Sequence, residues 1–392
     1  LVSVVCALIA GNGGRLSAAV LTGAQSGVTL ALSMAGGICL WSGVGQLMGH
    51  IGITGMLSKL LQPLLHRVFP STRKDQILAG DLSANICANF LGLGNAATPM
   101  GLKAMGELQE LNTDKSKASN AMIMFVVLGA SGLTLIPTTI MAYRAQLGAT
   151  NPADVFLPIL IATYIATLAG LIAVCVSQKI KIVDPIVLGT LIGLTGLVGL
   201  LIWGASLLTA ETLSIVSAAA AAIILLSIIT WFVLQAMIKK INVYDAFIDG
   251  AKDGFKTAVG IIPYLIAILV AVGMFRACGA MELLENGLAW CFEICGINPD
   301  LAGAVPTALM KPLSGSGARG LMLEAMTTHG ADSLVGRLCC ILQGTTDTTF
   351  YVLAVYFGSV SIKNTRHAVA CCLIADLAGA IAAFAIAAIF FA

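Results

Sequence analysis

Ser83-Ala-Asn-Ile-Cys-Ala-Asn-Phe-Leu-Gly-Leu-Gly-Asn-Ala-Ala-Thr-Pro99 and, more than 200 residues later, Met310-Lys-Pro-Leu-Ser-Gly-Ser-Gly-Ala-Arg-Gly320 each lie in an apolar region and each interrupt it. Both carry a Gly-x-Gly, a proline and side chains that lipid rejects. Backbone in hydrocarbon must satisfy its own hydrogen bonds. A Gly/Pro break is therefore tolerated only inside protein or along a wet cavity. Two such breaks in corresponding halves of one chain point to a transporter binding site.

The composition around them is that of a membrane protein. Of 392 residues, 58% are hydrophobic and 10% charged, against about 25% charged in soluble domains. With 42 glycines and few aromatics, the chain suits closely packed membrane helices rather than a porin-type barrel. The expected class is an all-α integral membrane protein. The net charge of +2 comes from basic residues scattered singly over loops, so no nucleic-acid partner is expected. Most of the 11 cysteines sit in apolar segments and read as small buried hydrophobes. Cys291 and Cys295 have no second pair, and zinc needs four ligands. No metal and no cofactor is expected. Residues 1–10 read as the end of a membrane helix, without the charged start or cleavage site of a signal peptide.

Stretches long enough to span cover Val28–Met48, Ser119–Ala142 with a kink at Pro137, Val155–Val176, Pro185–Leu208 and Leu213–Ile238. The pattern restarts at Thr257–Met274 and continues through Leu334–Val360 and Val369–Phe391. The broken segments are Ile77–Thr98 and Leu301–Gly320. Ile53–Phe69 reads as an amphipathic helix at the interface, and Met100–Leu111, Glu282–Cys295 and Leu321–His329 as shorter amphipathic helices. Gly23-Ala24-x-x-Gly27-x-x-x-Ala31 recurs as Gly250-Ala251-x-x-Gly254-x-x-x-Ala258, offset by 227 positions. Thr138-Thr139 is a candidate counterpart of Thr348-Thr349, at a different offset. The chain thus divides into a first repeat at 1–180, linking transmembrane helices at 181–240 and a second repeat at 241–392.

Charge sets the topology. If both broken segments enter and leave by one side, Thr257–Met274 runs opposite to Val28–Met48, and the repeats are inverted. One side then collects 15 of the 21 Lys and Arg, among them Lys59, Lys115, Lys181, Lys239 and Lys363. That side is expected to be cytoplasmic, with the broken segments re-entrant from opposite faces.

An ionised side chain at the bilayer centre costs roughly 2.5–3.5 kcal/mol on insertion scales, so Lys311, Arg319, Asp347, Asp376 and Asp81 each need a reason. For Asp81 and Asp376 a paired or snorkelling charge suffices. Gln343-Gly-Thr-Thr-Asp-Thr-Thr349 sits midway along an apolar segment and offers amide, hydroxyl and carboxylate groups together. Gly344 would let the helix open. Gln343, Thr345, Thr346, Asp347 and Thr348 are expected to bind a polar solute. Asn85 and Asn89, at i and i+4 on one helical face, would join Asn95 and Thr98 in complementing them. Ser314 and Ser316 would contribute from the second break. Half-helix N-termini there, with Lys311 and Arg319, favour an anionic group. Gly315-x-Gly-x-x-Gly320 matches a dinucleotide fingerprint but lacks the preceding strand. No catalytic triad, paired catalytic carboxylates or Walker motif is present, and no enzyme is expected.

Leu91-Gly-Leu-Gly-Asn-Ala-Ala-Thr-Pro99, Gly101-Leu-Lys-Ala-Met105 and Leu133-Thr-Leu-Ile-Pro-Thr-Thr139 resemble spore maturation protein A over about Gly23–Leu147. Pro312-Leu-Ser-Gly-Ser-Gly-Ala-Arg-Gly320, Gln343–Ser359 and Leu373-Ile-Ala-Asp376 resemble spore maturation protein B over about Gly250–Gly379. Each half is similar to the nucleoside recognition, or Gate, domain, which is related to concentrative nucleoside transporters. The resemblance implies a natural A–B fusion of two inverted Gate-type repeats, multi-pass in a bacterial inner membrane. It also implies a role in handling a small polar solute, nucleoside-like or anionic.

The leading reading is a secondary transporter or solute-binding protein with Asp347 as partner for a proton or sodium ion. The competing reading is a non-transporting scaffold or regulator of spore or envelope maturation. Its loops are short for that role. The interfacial helices leave a homo-oligomer open.

Overall fold

The computed structural model describes residues 13–52, 63–64, 67–69, 78, 81–83, 85–86, 89, 94–132, 134, 137–180, 185–207, 210–260, 262–294, 296 and 298–391. The described residues are helical. They contain no strand, only an isolated bridge between Lys117 and Asn364. The amphipathic segment 53–69 lies mostly outside them, as do residues 1–10 and the Gly92 side of the first break.

Helix α1 runs Gly13–His50, about 57 Å at 1.5 Å per residue. It is longer than the stretch that hydropathy marks. Helices α2 (Gly94–Glu110), α3 (Asn120–Ala130), α4 (Thr138–Gln146) and α5 (Phe156–Gln178) complete the first half. Helices α6 (Pro185–Ser206) and α7 (Ala210–Ile238) connect it to the second. Then come α8 (Val243–Gly260), α9 (Ile262–Ala277) and α10 (Ala280–Ile294), followed by a 3-10 turn at Pro299–Ala304. The second half ends with α11 (Val305–Met310), α12 (Gly315–His329), α13 (Leu334–Thr345), α14 (Thr349–Ser359) and α15 (Ala368–Phe391).

Four expectations need correcting. Met100–Leu111 is not a separate helix, because α2 starts at Gly94 and continues through it. Leu321–His329 is likewise the end of α12. Ser119–Ala142 is opened between α3 and α4 rather than kinked. Leu334–Val360 opens at 346–348, beyond Gly344, which lies inside α13. An added Cβ at Gly344 would stand 2.8 Å from Ile159 and 2.9 Å from Ile140, so this glycine serves close packing.

Phe156–Gln178, Leu334–Ser359 (α13 and α14 taken together) and Ala368–Phe391 are long and apolar enough to cross a membrane. The linking helices add an outward apolar surface. Ile192, Leu197, Leu200 and Trp203 on α6 are all exposed, and so are Ile223, Leu226 and Leu234 on α7. Such a contiguous apolar surface belongs in hydrocarbon.

Small residues set the helix pairings. An added Cβ at Gly23 would stand 3.0 Å from Val270, and one at Gly27 2.9 Å from Ile266. Gly250 meets Gly43 and Gly254 meets Cys39, each at 2.9 Å. Helix α1 therefore runs antiparallel to α8–α9, with a Gly-x-x-x-Gly at each end of the contact. Helices α5 and α15 are antiparallel too. Gly170 faces Ala375 at 3.2 Å, and Gly379 faces Ala166 at 2.9 Å. Several packings have a counterpart with the halves exchanged: α3 packs on α5, α15 and α14, and α13 packs on α15, α5 and α4.

Two loop clasps tie the halves together. At one end, Ala118 N donates to Asn364 O at 2.9 Å and Arg366 reaches Ala118 O and Asn120. At the other, the fully buried Arg144 holds Asp154 at 2.8 Å and Asp332 at 3.0 Å. Arg337 closes this second network on Asp154 at 2.8 Å and stacks on Phe391.

Candidate functional site

The site is built where helices stop. A helix end leaves its last carbonyls without intrahelical partners, and in lipid these must be met by protein. At the end of α3, Ala130 O accepts from Asp347 N at 2.7 Å. Ser131 O accepts from Thr167 Oγ1 at 2.9 Å, and Gly132 O from Thr163 Oγ1 at 2.8 Å. At the end of α13, Lys311 Nζ donates to Gln343 O at 2.7 Å. Phe350 N, opening α14, donates to Pro312 O in the second break at 3.1 Å. Three chain breaks are thus locked to one another by main-chain carbonyls.

A cavity of about 250 Å³ lies among them. Gly129 lines it from the end of α3, Gly132, Thr134 and Pro137 from the opening between α3 and α4, and Thr139, Ile140 and Tyr143 from α4. Arg319 of α12 and Asn89 complete it with Gln343, Gly344, Thr346 and Asp347. A side space of about 40 Å³, walled by Tyr351, Val355 and Tyr356, shares Asn89, Gly129 and Asp347 with it.

Several of these walls are chemically unfinished. Gln343 Nε2 donates to Gly315 O at 3.4 Å, but its Oε1 is buried with no hydrogen-bond partner. Tyr143 Oη is also buried without one. The Arg319 guanidinium lies 5.9 Å from the Tyr143 ring centre, at cation–π distance. Among the described residues no carboxylate stands within 4.0 Å of Arg319, and no cation within 4.0 Å of Asp347. Asp347 Oδ1 accepts from Thr348 N at 2.7 Å. Buried polar atoms are normally paired, and two without a hydrogen bond stand together here.

Of the residues singled out by sequence, Asn89, Arg319, Gln343, Thr346 and Asp347 line the cavity. Asn85 lies behind it, accepting from Asn89 at 3.3 Å and donating to Tyr356 at 3.5 Å. Ser314 caps α12, its Oγ accepting from Gly317 N at 3.0 Å, and Ser316 rests against it at 3.4 Å. Thr345 returns its hydroxyl to Ile341 O. Thr348 is buried against Gly315. Lys311 borders a void of about 10 Å³ with Thr345, Thr346 and Asp376 rather than the main cavity. Asp376 accepts from Thr349 Oγ1 at 2.7 Å. Helix α2 includes positions 95 and 98, but the side chains of Asn95 and Thr98 lie outside the description. Tyr143, Thr134 and Thr139 were not singled out as ligands. The Thr138-Thr139 echo of Thr348-Thr349 is the signal that points to that wall.

The sequence profile of the nucleoside recognition family, Gate, matches residues 31–147 and 258–363, more than half of the chain. The chain belongs to the nucleoside recognition family. Over 164 residues, 42% of this chain and 90% of the relative, it is 42% identical to spore maturation protein B of Bacillus subtilis (strain 168). Over 171 residues, 44% of this chain and 87% of the relative, it is 33% identical to spore maturation protein A of the same strain. This Gate protein therefore carries counterparts of both relatives in one chain. No solved structure matches it. It is a membrane protein of that family, and the families it matches are not enzyme families.

Proposed function

We propose that this Gate protein is a multi-pass inner-membrane protein that binds, and moves between the two sides, a small polar solute held at the meeting point of its helix breaks. One observation carries the reading: Gln343 Oε1 and Tyr143 Oη are buried without partners in a cavity that also presents Arg319 and Asp347. A solute supplying donors and acceptors relieves the cost of those atoms, about 1–3 kcal/mol each. The nucleoside recognition name of the family fits a guest rich in such groups.

Two inverted repeats, 1–180 and 241–392, linked by 181–240, form the framework of this proposal. The antiparallel pairings and the exchanged packing of α3 and α13 support it. Rocking one repeat against the other would expose the cavity to each side in turn. Asp347 is the proposed partner for a coupling proton or sodium ion.

The test is thermal stabilisation of the purified protein by nucleosides, nucleobases, amino acids and small carboxylates, with and without sodium and at two pH values. A ligand-specific rise in the unfolding midpoint is expected, reduced about tenfold in apparent affinity by Gln343→Leu. An intact fold that responds to none of these compounds overturns the solute reading and leaves the scaffold. Topology has its own test. Cysteines placed by Lys115→Cys and Lys239→Cys should label from one face of sealed vesicles, the cytoplasmic one. Labelling from opposite faces would sink the inverted-repeat arrangement.

A further inference from the structure

The solute cavity holds two opposite charges that form no ion pair among the described residues. Three other arginines have carboxylate partners. Arg144 and Arg337 share Asp154 and Asp332, and Arg276 holds Glu285 at 3.2 Å and Glu324 at 2.6 Å. Among the described residues Arg319 has no carboxylate within 4.0 Å and rests on Tyr143, while Asp347 accepts from a neighbouring main-chain amide and has the Lys311 ammonium at longer range. Both line the same cavity, yet they do not form an ion pair with each other.

Their supports keep them apart. Arg319 is fixed on α12 behind its Ser314 cap. Asp347 is fixed by its main-chain bond to Ala130 and by the opening of α14. Binding a neutral solute would strip water from both charges, return no counter-charge to Arg319 and leave Asp347 with only the more distant Lys311. An anion would match Arg319 and meet Asp347, and a cation would do the reverse. A molecule carrying both signs satisfies both. The uncharged walls agree in sense: the unpartnered Gln343 Oε1 can only accept, as an ammonium requires, and the Tyr143 hydroxyl can donate, as a carboxylate requires.

We infer that the solute is a small zwitterion of the amino acid class, its carboxylate held by Arg319 and Tyr143 and its ammonium by Asp347 and Gln343. Gly129, Gly132 and Ile140 then bound the space left for its side chain. This inference rests on the cavity being a solute site, narrows the class of guest, and gives Asp347 to the ammonium in place of a coupling ion.

The experiment uses the full chain in detergent. L-glutamine, L-leucine and glycylglycine are compared with their N-acetyl and methyl-ester derivatives and with uridine and adenosine, by thermal shift and calorimetry. At least one free zwitterion should bind, and blocking either end should weaken it at least about tenfold. The variants separate the ends. Arg319→Gln should weaken the zwitterion but not its methyl ester, and Asp347→Asn should weaken the zwitterion but not its N-acetyl form. Binding of uridine or adenosine with none by the zwitterions would overturn the inference and leave the solute site standing. Failure of every compound on folded wild-type protein would overturn both.

Discussion

Arg144→Met should lower the stability of the folded protein by about 3–5 kcal/mol, the cost of breaking a buried charge network by removing one partner. Arg144 is fully buried, as is Asp154, and its guanidinium also reaches Ala331 O at 2.6 Å and the carbonyls of Asn151 and Pro152 at 3.3 Å. Removing it takes one charged partner from Asp154 and one donor from each of three carbonyls. The clasp joins the loop after α4 to the loop before α13, so both walls of the cavity should loosen together. The measurement is the unfolding midpoint and yield in mild detergent. Arg366→Ala, at the other clasp, is the comparison. Its side chain is exposed, and a loss of at most about 1 kcal/mol is expected. The double variant Arg144→Met with Asp154→Leu should recover part of the loss, since Arg337 and Asp332 remain as a pair. A single variant as stable as wild type would show that the network contributes nothing. Acid acts on the same clasp. Burial pushes the Asp332 carboxyl up, but the Thr150 amide, Arg144 and Arg337 together hold it below the usual carboxylate range. A depressed carboxylate stabilises above its unfolded value, about pH 3.9, and that contribution is lost as pH falls through the folded value. The contrast between wild type and Arg144→Met should therefore shrink in acid.

The second break is legible because Pro312 and two glycines stand together in an otherwise apolar stretch, and the structure opens the chain there. The opening between α3 and α4 is harder to read. Pro137 and Gly132 suggest a bend, but what permits a full break is the pair of hydroxyls on α5. Thr163 and Thr167 stand 31 and 36 residues from the carbonyls to which they donate. Local sequence does not reveal that supply. Gly344 misleads for the opposite reason: its lack of a side chain admits Ile140 and Ile159, not a turn. At the site, charge in an apolar setting singles out Arg319 and Asp347, and both line the cavity. It also picks out Lys311, whose ammonium is spent on a main-chain carbonyl. The aromatic wall at Tyr143 depends on how α4 turns after the break, and near it only the Thr138-Thr139 echo points that way.

Gly27→Leu and Gly254→Leu should each destabilise the protein by about 1–3 kcal/mol, the usual range for overpacking. At Gly27 an added Cβ stands 2.9 Å from the main-chain nitrogen of Ile266. At Gly254 it stands 2.9 Å from the Cα of Cys39 and from the carbonyl oxygen of Ile38. Backbone cannot swing aside as a flexible side chain can, so the helices must separate along their length. Membrane helices associate through such close packing rather than through a hydrophobic drive, and separation forfeits that packing outright. Gly36→Leu and Gly260→Leu are the controls, because nothing lies within 4 Å of a Cβ at either position. Leucine there should be neutral or slightly stabilising, since glycine weakens a helix interior by about 1 kcal/mol. The contacts opposite Gly27 and Gly254 fall about 18 Å apart along α1, so the double variant should show the sum of the two losses. If α1 and α8–α9 are related by a two-fold axis, the two single losses should also match. Clearly unequal losses, with both controls neutral, would show that the repeated Gly-Ala motif marks packing at one end and only resemblance at the other.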